Sequence, residues 1–183
     1  EIIKKYFYND QFYQKIIKKK KDLRIINEYK KIKKYKKMIK FVYQNNPKGT
    51  GDAVLKTKNL IKDKYFLMLL PDDLIIKKNC SKELIELFRK KRSSIIATKK
   101  VQKNTVSRWG ILSIKNKKKN YFQIQNIVEK PSIKKAPSNY AVIGRYILSK
   151  KIIKKLTNLK PGSGNEIHIP SSIEAITLKI AIP

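Results

Sequence analysis

Cysteine is almost missing from this 183-residue chain. Cys80 stands alone, so no internal disulfide framework can form, which fits a reducing, cytoplasmic setting. Histidine is equally scarce. With His168 as its single copy and no cysteine cluster, a zinc site lacks a ligand set. No serine elbow accompanies it, so a serine-based triad has no support and His168 is expected to be structural. No apolar run reaches the roughly 20 residues of a membrane span. No signal peptide is visible either, because Glu1 opens directly onto Ile2-Ile3-Lys4-Lys5. The first residue is not Met, so the true start is expected upstream. No internal repeat is found.

Negative charge is the other shortage. Asp and Glu total 13 against 45 Lys and Arg, a net charge of +32. Such a balance raises nucleic acid or an anionic membrane as a partner. The distribution argues against both. Lysine appears in nearly every block of ten, with Ile and Asn also abundant, whereas arginine is confined to Arg24, Arg89, Arg92, Arg108 and Arg145. Sequence-reading nucleic-acid sites lean on arginine for bidentate contacts and gather charge on one face. The even spread is what a composition biased toward Lys, Ile and Asn produces, so no specific nucleic-acid partner and no membrane partner are expected. A basic nucleic-acid-binding protein stays as the rival from another class; it predicts lysines clustered on one face.

What is present is a globular composition. Hydrophobic residues make up 41% and aromatics 9%, enough for a real core, and the length suits one domain, read as spanning 1–183. Residues 1–40 carry helical periodicity, with Ile16, Ile17, Leu23, Ile25, Ile26, Ile32, Tyr35, Met38 and Ile39 as apolar positions, and are read as an amphipathic helix pair with solvated lysines. Phe41–Gln44 reads as a short strand. A loop through Lys48-Gly49-Thr50-Gly51 leads to Asp52, the expected N-cap of the next helix. Tyr65–Leu70 is a continuous apolar run, expected to be a central strand buried on both faces. Ser81 is the expected cap of a helix with Leu84, Ile85, Leu87 and Phe88 on one face. Its acids come early and its bases late, matching the helix dipole. Ser94–Thr98 follows as a strand. Trp109–Ile114 and Tyr121–Glu129 flank a lysine-rich turn and predict a hairpin. Tyr140–Leu148 is a further strand, Ser149 caps a helix, and Pro170 suits the first turn of a last helix. Alternating strands and helices in the first half make an α/β sheet the expected class.

Several short motifs could carry chemistry. Asp72 and Asp73 follow the buried run, and the carboxyl ends of strands in open α/β sheets are where ligands bind. Carboxylates there can hold Mg²⁺ together with substrate phosphates, although an Asx-type turn explains them equally well. Gly49 and Gly51 at a helix start allow close backbone approach to an anion, or form a plain turn. This is neither a Walker loop nor a complete G-x-G-x-x-G. Gln44 offers an amide that matches the N3–H and O4 edge of uracil, and a flipped amide would match cytosine nearly as well. Glu129 can accept from sugar hydroxyls and Lys130 can neutralise a phosphate; the plainer alternative is an exposed charge pair on opposite strand faces.

The order of these motifs is more informative than any one of them. Gln44 with Lys48–Val54, Leu70-Pro71-Asp72, Arg108-Trp109-Gly110, Val128-Glu129-Lys130-Pro131, Ala136–Tyr146 and Pro161–Ile167 together resemble the bacterial UTP–glucose-1-phosphate uridylyltransferases. The resemblance runs from about residue 1 to 180. Its most specific parts are Ala136-Pro137-Ser138-Asn139 through Gly144-Arg145-Tyr146 and the later Pro161-Gly162-Ser163-Gly164-Asn165-Glu166-Ile167, which favour this family over the related thymidylyltransferases.

The resemblance implies a Rossmann-like nucleotidyltransferase fold with a mostly parallel sheet, truncated at both ends. It also implies Mg²⁺-dependent conversion of UTP and glucose 1-phosphate to UDP-glucose and pyrophosphate. Gln44 and Gly49 would contact the uracil. Asp72 would ligate Mg²⁺, Gly110, Glu129 and Gly144 would line the glucose site, and Lys130 would meet the sugar phosphate. Asp72 and Lys130 are the charges expected to matter most for catalysis. Asp73 is less secure, and Trp109 stands where the family commonly has Tyr. The family's G-x-G-T-R loop, its P-K-E-M segment and a C-terminal metal-binding Asp do not occur in this sequence. The expectation is therefore a part of an active site that does not turn over alone, and a homo-oligomer at full length. A thymidylyl- or cytidylyltransferase is the alternative within the class.

Overall fold

The periodicity at the start of the chain is realised as two helices, α1 (Gln11–Lys20) and α2 (Leu23–Lys36). These come from a computed structural model that describes residues 3, 4, 8, 11–76, 78–118, 121–161, 165–169 and 175–179. Three lysines close α1, where cations complement the helix dipole. Asp22 starts α2: its backbone is extended and its Oδ1 accepts from the Arg24 N–H at 2.8 Å, satisfying one of the orphan amides of the first turn. Ile25, Tyr29, Ile32 and Lys36 form the shielded stripe of α2, whereas Leu23, Tyr35 and Met38 are exposed. Lys36 is buried in that stripe, where its long aliphatic stem can pack. Phe41–Gln44 does not form the expected strand. Val42 and Tyr43 are exposed, and no described strand offers these residues a ladder to satisfy their amides. The chain divides into two units by packing, Glu1–Tyr43 and Gln44–Pro183.

The second unit contains α3 (Gly49–Lys56), β1 (Tyr65–Leu69), α4 (Cys80–Lys91), β2 (Ser94–Lys100), a 3₁₀ helix (Lys103–Arg108), β3 (Gly110–Lys117), β4 (Phe122–Glu129), β5 (Tyr140–Ser149), α5 (Lys151–Thr157) and β6 (Ala175–Lys179). Its sheet has the order β1-β5-β2-β6-β4-β3, with β3 also touching β5 through Ile111 and Ala141. The expected mostly parallel sheet is not what forms: among the described strands only β2 and β6 are parallel neighbours. The reason lies in β5. It inserts antiparallel between β1 and β2, which the intervening α4 leaves running in the same direction. Four strands therefore share a direction, but β4 and β5 separate most of them.

Burial follows from this order. β2 is covered on both faces. Ile95 and Ala97 pack with Ile143 and Ile147 of β5 against Cys80 and Leu84 of α4. Ile96 packs with Tyr146 and Leu148 against Val54 of α3 and Ile152 and Leu156 of α5. Burial also pushes the Cys80 thiol up to about 11, helped by nearby Glu83. The continuous apolar run assigned to a central strand instead becomes β1, the edge of the described sheet, with Leu67 and Leu69 39% and 50% exposed. An apolar run reports hydrophobicity, not the place of its strand in the order.

Three helix starts also differ from expectation. α3 begins at Gly49, which places Asp52 in its first turn, buried, and not at the cap. Asn79, not Ser81, caps α4, its Oδ1 accepting from the Lys82 N–H at 3.0 Å. Lys150 stands at the α5 cap, although the Ser149 hydroxyl still accepts from the Lys151 N–H at 3.3 Å. The helix expected from Pro170 falls partly outside the described residues. Ala175–Lys179 within it is strand β6, where pairing with buried β2 outweighs the local proline signal.

The strand order sets a stability contrast. Leu148→Ala, in the fully buried middle of the sheet, should cost about 2–5 kcal/mol by urea denaturation, whereas Leu67→Ala on the edge strand should cost less than about 1 kcal/mol. Equal losses would contradict the edge position of β1.

Candidate functional site

The sheet is irregular where β5 crosses between β1 and β2. Ile96 pairs with Tyr146, but Thr98 pairs with Val142, so one residue of β2 faces three of β5. Gly144 and Arg145 lie in that bulge, the kind of local kink that re-aims side chains beside functional sites. On the other side, β1 follows β5 to its end, and the Leu70 N–H donates to the Gly144 carbonyl at 2.8 Å. Gly144 must be small here. A Cβ would stand 2.5 Å from the Leu70 Cβ and 2.8 Å from an Asp73 carboxylate oxygen.

The loop after β1 is held down by this bulge. The Gly144 N–H donates to Asp73 Oδ2 at 2.7 Å. The Arg145 guanidinium donates to the carbonyls of Leu70 (2.8 Å), Gly144 (2.8 Å) and Asp73 (2.5 Å). Asp73 and Arg145 are thus committed to shaping the turn. Asp72 is not: among the described residues nothing donates to its exposed carboxylate. The two adjacent acids have divided their work, one structural and one available.

A cleft of about 310 Å³ opens at this turn. Of the seven residues to which the resemblance gives site roles, four line it together: Asp72, Gly110, Glu129 and Gly144. Gly110 opens β3 opposite Glu129 at the end of β4. A Cβ on Gly110 would meet Glu129 Oε2 at 3.0 Å, so its smallness leaves room for that carboxylate. Lys130 follows Glu129, and its N–H donates to the Trp109 carbonyl at 3.0 Å. Lys130 has left-handed backbone (φ 43). This interrupts the pleat, so strand alternation no longer sends its side chain to the face opposite Glu129. Lys130 itself is exposed and is not among the lining residues. Lys99 places its ammonium 4.0 Å from the Trp109 ring centre, a cation–π contact on the aromatic beside the cleft.

Gln44 and Gly49 do not line the cleft, but their neighbour Thr50 does. Gln44 Nε2 donates to Asp52 Oδ2 at 2.6 Å and to the Gly49 carbonyl at 3.3 Å. The two glycines around Thr50 serve the chain's own packing. The Gly51 N–H donates to the Ile167 carbonyl and the Ile167 N–H donates to the Lys48 carbonyl, both at 2.7 Å. A Cβ on Gly49 or Gly51 would lie 2.9 or 2.7 Å from the Ile167 carbonyl oxygen. Close backbone approach, read in the sequence as an approach to a ligand, is here an approach to the segment after Pro161. Gly162–Gly164 of that motif lie outside the described residues.

This docking brings in a residue the sequence reading set aside. His168 lines the cleft, with Nε2 3.6 Å from Glu166 Oε2. Nothing local in the sequence announces it, because its position depends on Ile167 meeting Gly51. Tyr146 was also missed. It is buried at the cleft, and its phenol is held well above the ordinary range by burial first and then by the carboxylates of Asp73, Glu129 and Asp72. It lies two residues beyond Gly144 on the same strand, and a spacing of two on one strand face is the signal that could have found it. Arg108 and Thr50 complete the polar wall.

Comparison with known proteins fits this geometry. The model of the nucleotidyl transferase family matches residues 4–179. A UTP–glucose-1-phosphate uridylyltransferase of Streptococcus pyogenes is 37% identical over 142 residues, which cover 74% of this chain and 47% of that protein. The chain spans about half the length of the curated relatives it matches. An apo UDP-glucose pyrophosphorylase structure superposes with a TM-score of 0.81 at 31% identity, covering 97% of this chain and 68% of the other. A second, solved with UDP-glucose, gives 0.75 at 34% identity over 84% of this chain and 62% of the other. The fold is thus the α/β nucleotidyltransferase fold that the motifs imply, and the chain belongs to the nucleotidyl transferase family.

Proposed function

We propose that this chain forms the sugar-side half of a UTP–glucose-1-phosphate uridylyltransferase site, acting on UTP and glucose 1-phosphate with Mg²⁺. The observation that carries this reading is the convergence of Asp72, Gly110, Glu129 and Gly144 on one cleft. They come from four separate strands, Asp72 from the loop after β1, Gly110 from the start of β3, Glu129 from the end of β4 and Gly144 from the bulge of β5, and the same four residues are those that the family resemblance assigns to metal and sugar. The relatives named as uridylyltransferases, and the neighbour solved with UDP-glucose, support the substrate pair.

The chemistry is in-line attack of a glucose 1-phosphate oxygen on the α-phosphorus of UTP, with pyrophosphate leaving. No covalent enzyme intermediate is needed; the protein must hold two polyanions together and offset their repulsion. Glu129 would accept from glucose hydroxyls, with Gly110 and Gly144 leaving space for the ring. Lys130, on its left-handed turn, would meet the sugar phosphate. Gln44 would face the base beside Thr50.

The donor set suits Mg²⁺. Asp72 is a hard oxygen ligand free of competing donors among the described residues, on a loop fixed by Arg145. Mg²⁺ commonly takes one or two carboxylates and completes its shell with water and phosphates, not with a protein cage. Among the described residues there is no cluster of three acidic, histidine or cysteine ligands, so Asp72 would be the protein's share of the coordination. Bound there, the ion would neutralise charge on the reacting phosphates.

In a form extended to the length of its relatives, Asp72→Asn should lower kcat by more than about a hundredfold without changing the melting temperature, because a transition-state charge contact worth several kcal/mol is lost. Near-normal turnover at saturating Mg²⁺ would remove Asp72 from the metal site. In the same form, Lys130→Ala should raise KM for glucose 1-phosphate by about tenfold to a hundredfold, the loss of one charge-assisted contact, and leave UTP affinity unchanged. The opposite split would assign Lys130 to the nucleotide.

A further inference from the structure

We infer that Asp52 is a specificity-determining residue, which fixes the orientation of the Gln44 amide and so makes it select uridine over cytidine nucleotides. The inference rests on the reading of Gln44 as the base contact.

A glutamine amide is two-faced. One end donates twice and the other only accepts, and rotation by half a turn exchanges them. Left free, Gln44 could present either end to a base and would discriminate poorly. Asp52 removes that freedom. Its side chain is buried in the first turn of α3, and Oδ2 stands 2.6 Å from the Gln44 amide nitrogen. A carboxylate offers only lone pairs, so the NH₂ end must face it. The other proton of that nitrogen goes to the Gly49 carbonyl at 3.3 Å, also an acceptor. Rotating the amide would set its oxygen against two acceptors at once. Lys56, 3.9 Å from Asp52 Oδ1 and one turn along the helix, balances the charge from the far side without offering the amide a donor.

Both amide protons are therefore spent inside the protein, and Oε1 is the atom left for a ligand. Uracil has N–H at ring position 3, which donates to such an oxygen. Cytosine in the same pose has a bare lone pair at N3, and the two acceptors repel. Thymine shares the N3–H, so this device separates uracil and thymine from cytosine and not from each other. Asp52 touches no base. It acts through Gln44, as a positioning residue.

The test uses the 183-residue chain, titrated with UTP and with CTP by calorimetry, as wild type and as Asp52→Asn. Asparagine keeps the shape but can turn either a donor or an acceptor toward Gln44. The expected result is a fall in the UTP-to-CTP affinity ratio of about tenfold, the scale of one hydrogen bond turned from favourable to unfavourable, with UTP affinity itself changed less than the ratio. An unchanged ratio would overturn the role of Asp52 while leaving Gln44 as the base contact. Wild type that does not prefer UTP would instead overturn the uridine reading beneath it. Should Asp52→Asn fail to fold, the wild-type Gln44 side-chain amide decides by NMR. Its two protons should stay protected from solvent exchange when UTP is added, and loss of that protection would overturn the lock.

Discussion

The site depends on one strand, β5, holding two neighbours at different registers. Its pairing with β1 runs without a break from Ser149 to Arg145, whereas its pairing with β2 slips between Tyr146 and Val142. A strand cannot satisfy both partners and stay regular, so the bulge falls at Gly144-Arg145. There the polar groups that lose ladder partners become available. The Gly144 N–H turns to Asp73, and its carbonyl receives both the Leu70 N–H and the Arg145 guanidinium. Buried polar groups are expensive to leave unpaired. The irregularity is tolerated because the loop after β1 satisfies it, and that same loop carries Asp72.

A second constraint is the close approach between the Lys48–Gly51 segment and Ile167. It ties the start of α3 to a segment more than a hundred residues away. The glycines are needed because backbone meets backbone there, with a Cβ at Gly51 lying within 2.8 Å of Leu156 and Ile167 side-chain atoms as well. The residues that these contacts display line the cleft. Thr50 projects between the two glycines, and His168 follows Ile167. Glycine-rich loops are often read as ligand cradles; here the glycines build the wall and their neighbours form its surface.

Much of the architecture was legible. The alternation flanking the lysine-rich turn gave β3 and β4, and the caps and dipole pattern gave α4 within two residues. The motif order placed Asp72, Gly110, Glu129 and Gly144 in one cleft. Strand order was not legible. Tyr65–Leu69 is as apolar as a central strand, yet it lies at the edge of the described sheet, and the strand covered on both faces is β2. Hydrophobicity fixes which faces are buried locally, while the neighbour is chosen by contacts far away in sequence. β6 was lost to a proline signal for the same reason. The different duties of Asp72 and Asp73 were equally hidden, since adjacent identical residues differ only in what the bulge offers them.

The electrostatics of the cleft run against those of the chain. The protein carries a net charge of +32, a field that draws polyanions toward it from a distance and fades over the roughly 8 Å Debye length of physiological salt. Within the cleft the balance reverses locally. Asp72, Asp73 and Glu129 all reach it, close enough for each to oppose ionisation of Tyr146, while Arg108 is the one lining side chain with a permanent positive charge among the described residues. Arg145, next to the cleft-lining Gly144, is occupied with carbonyls. A triphosphate and a sugar phosphate brought into such a space would meet carboxylates at short range, where like charges repel most. Lysines spread over the rest of the surface cannot offset this, because their charge is screened at the distances involved, and Lys130 would supply one positive charge to the sugar phosphate alone. A divalent cation on Asp72 would change the sign of the interaction at the point of contact. The acidic lining thus gives the proposed cation on Asp72 a physical role, the offset of local repulsion, that does not depend on likeness to other proteins.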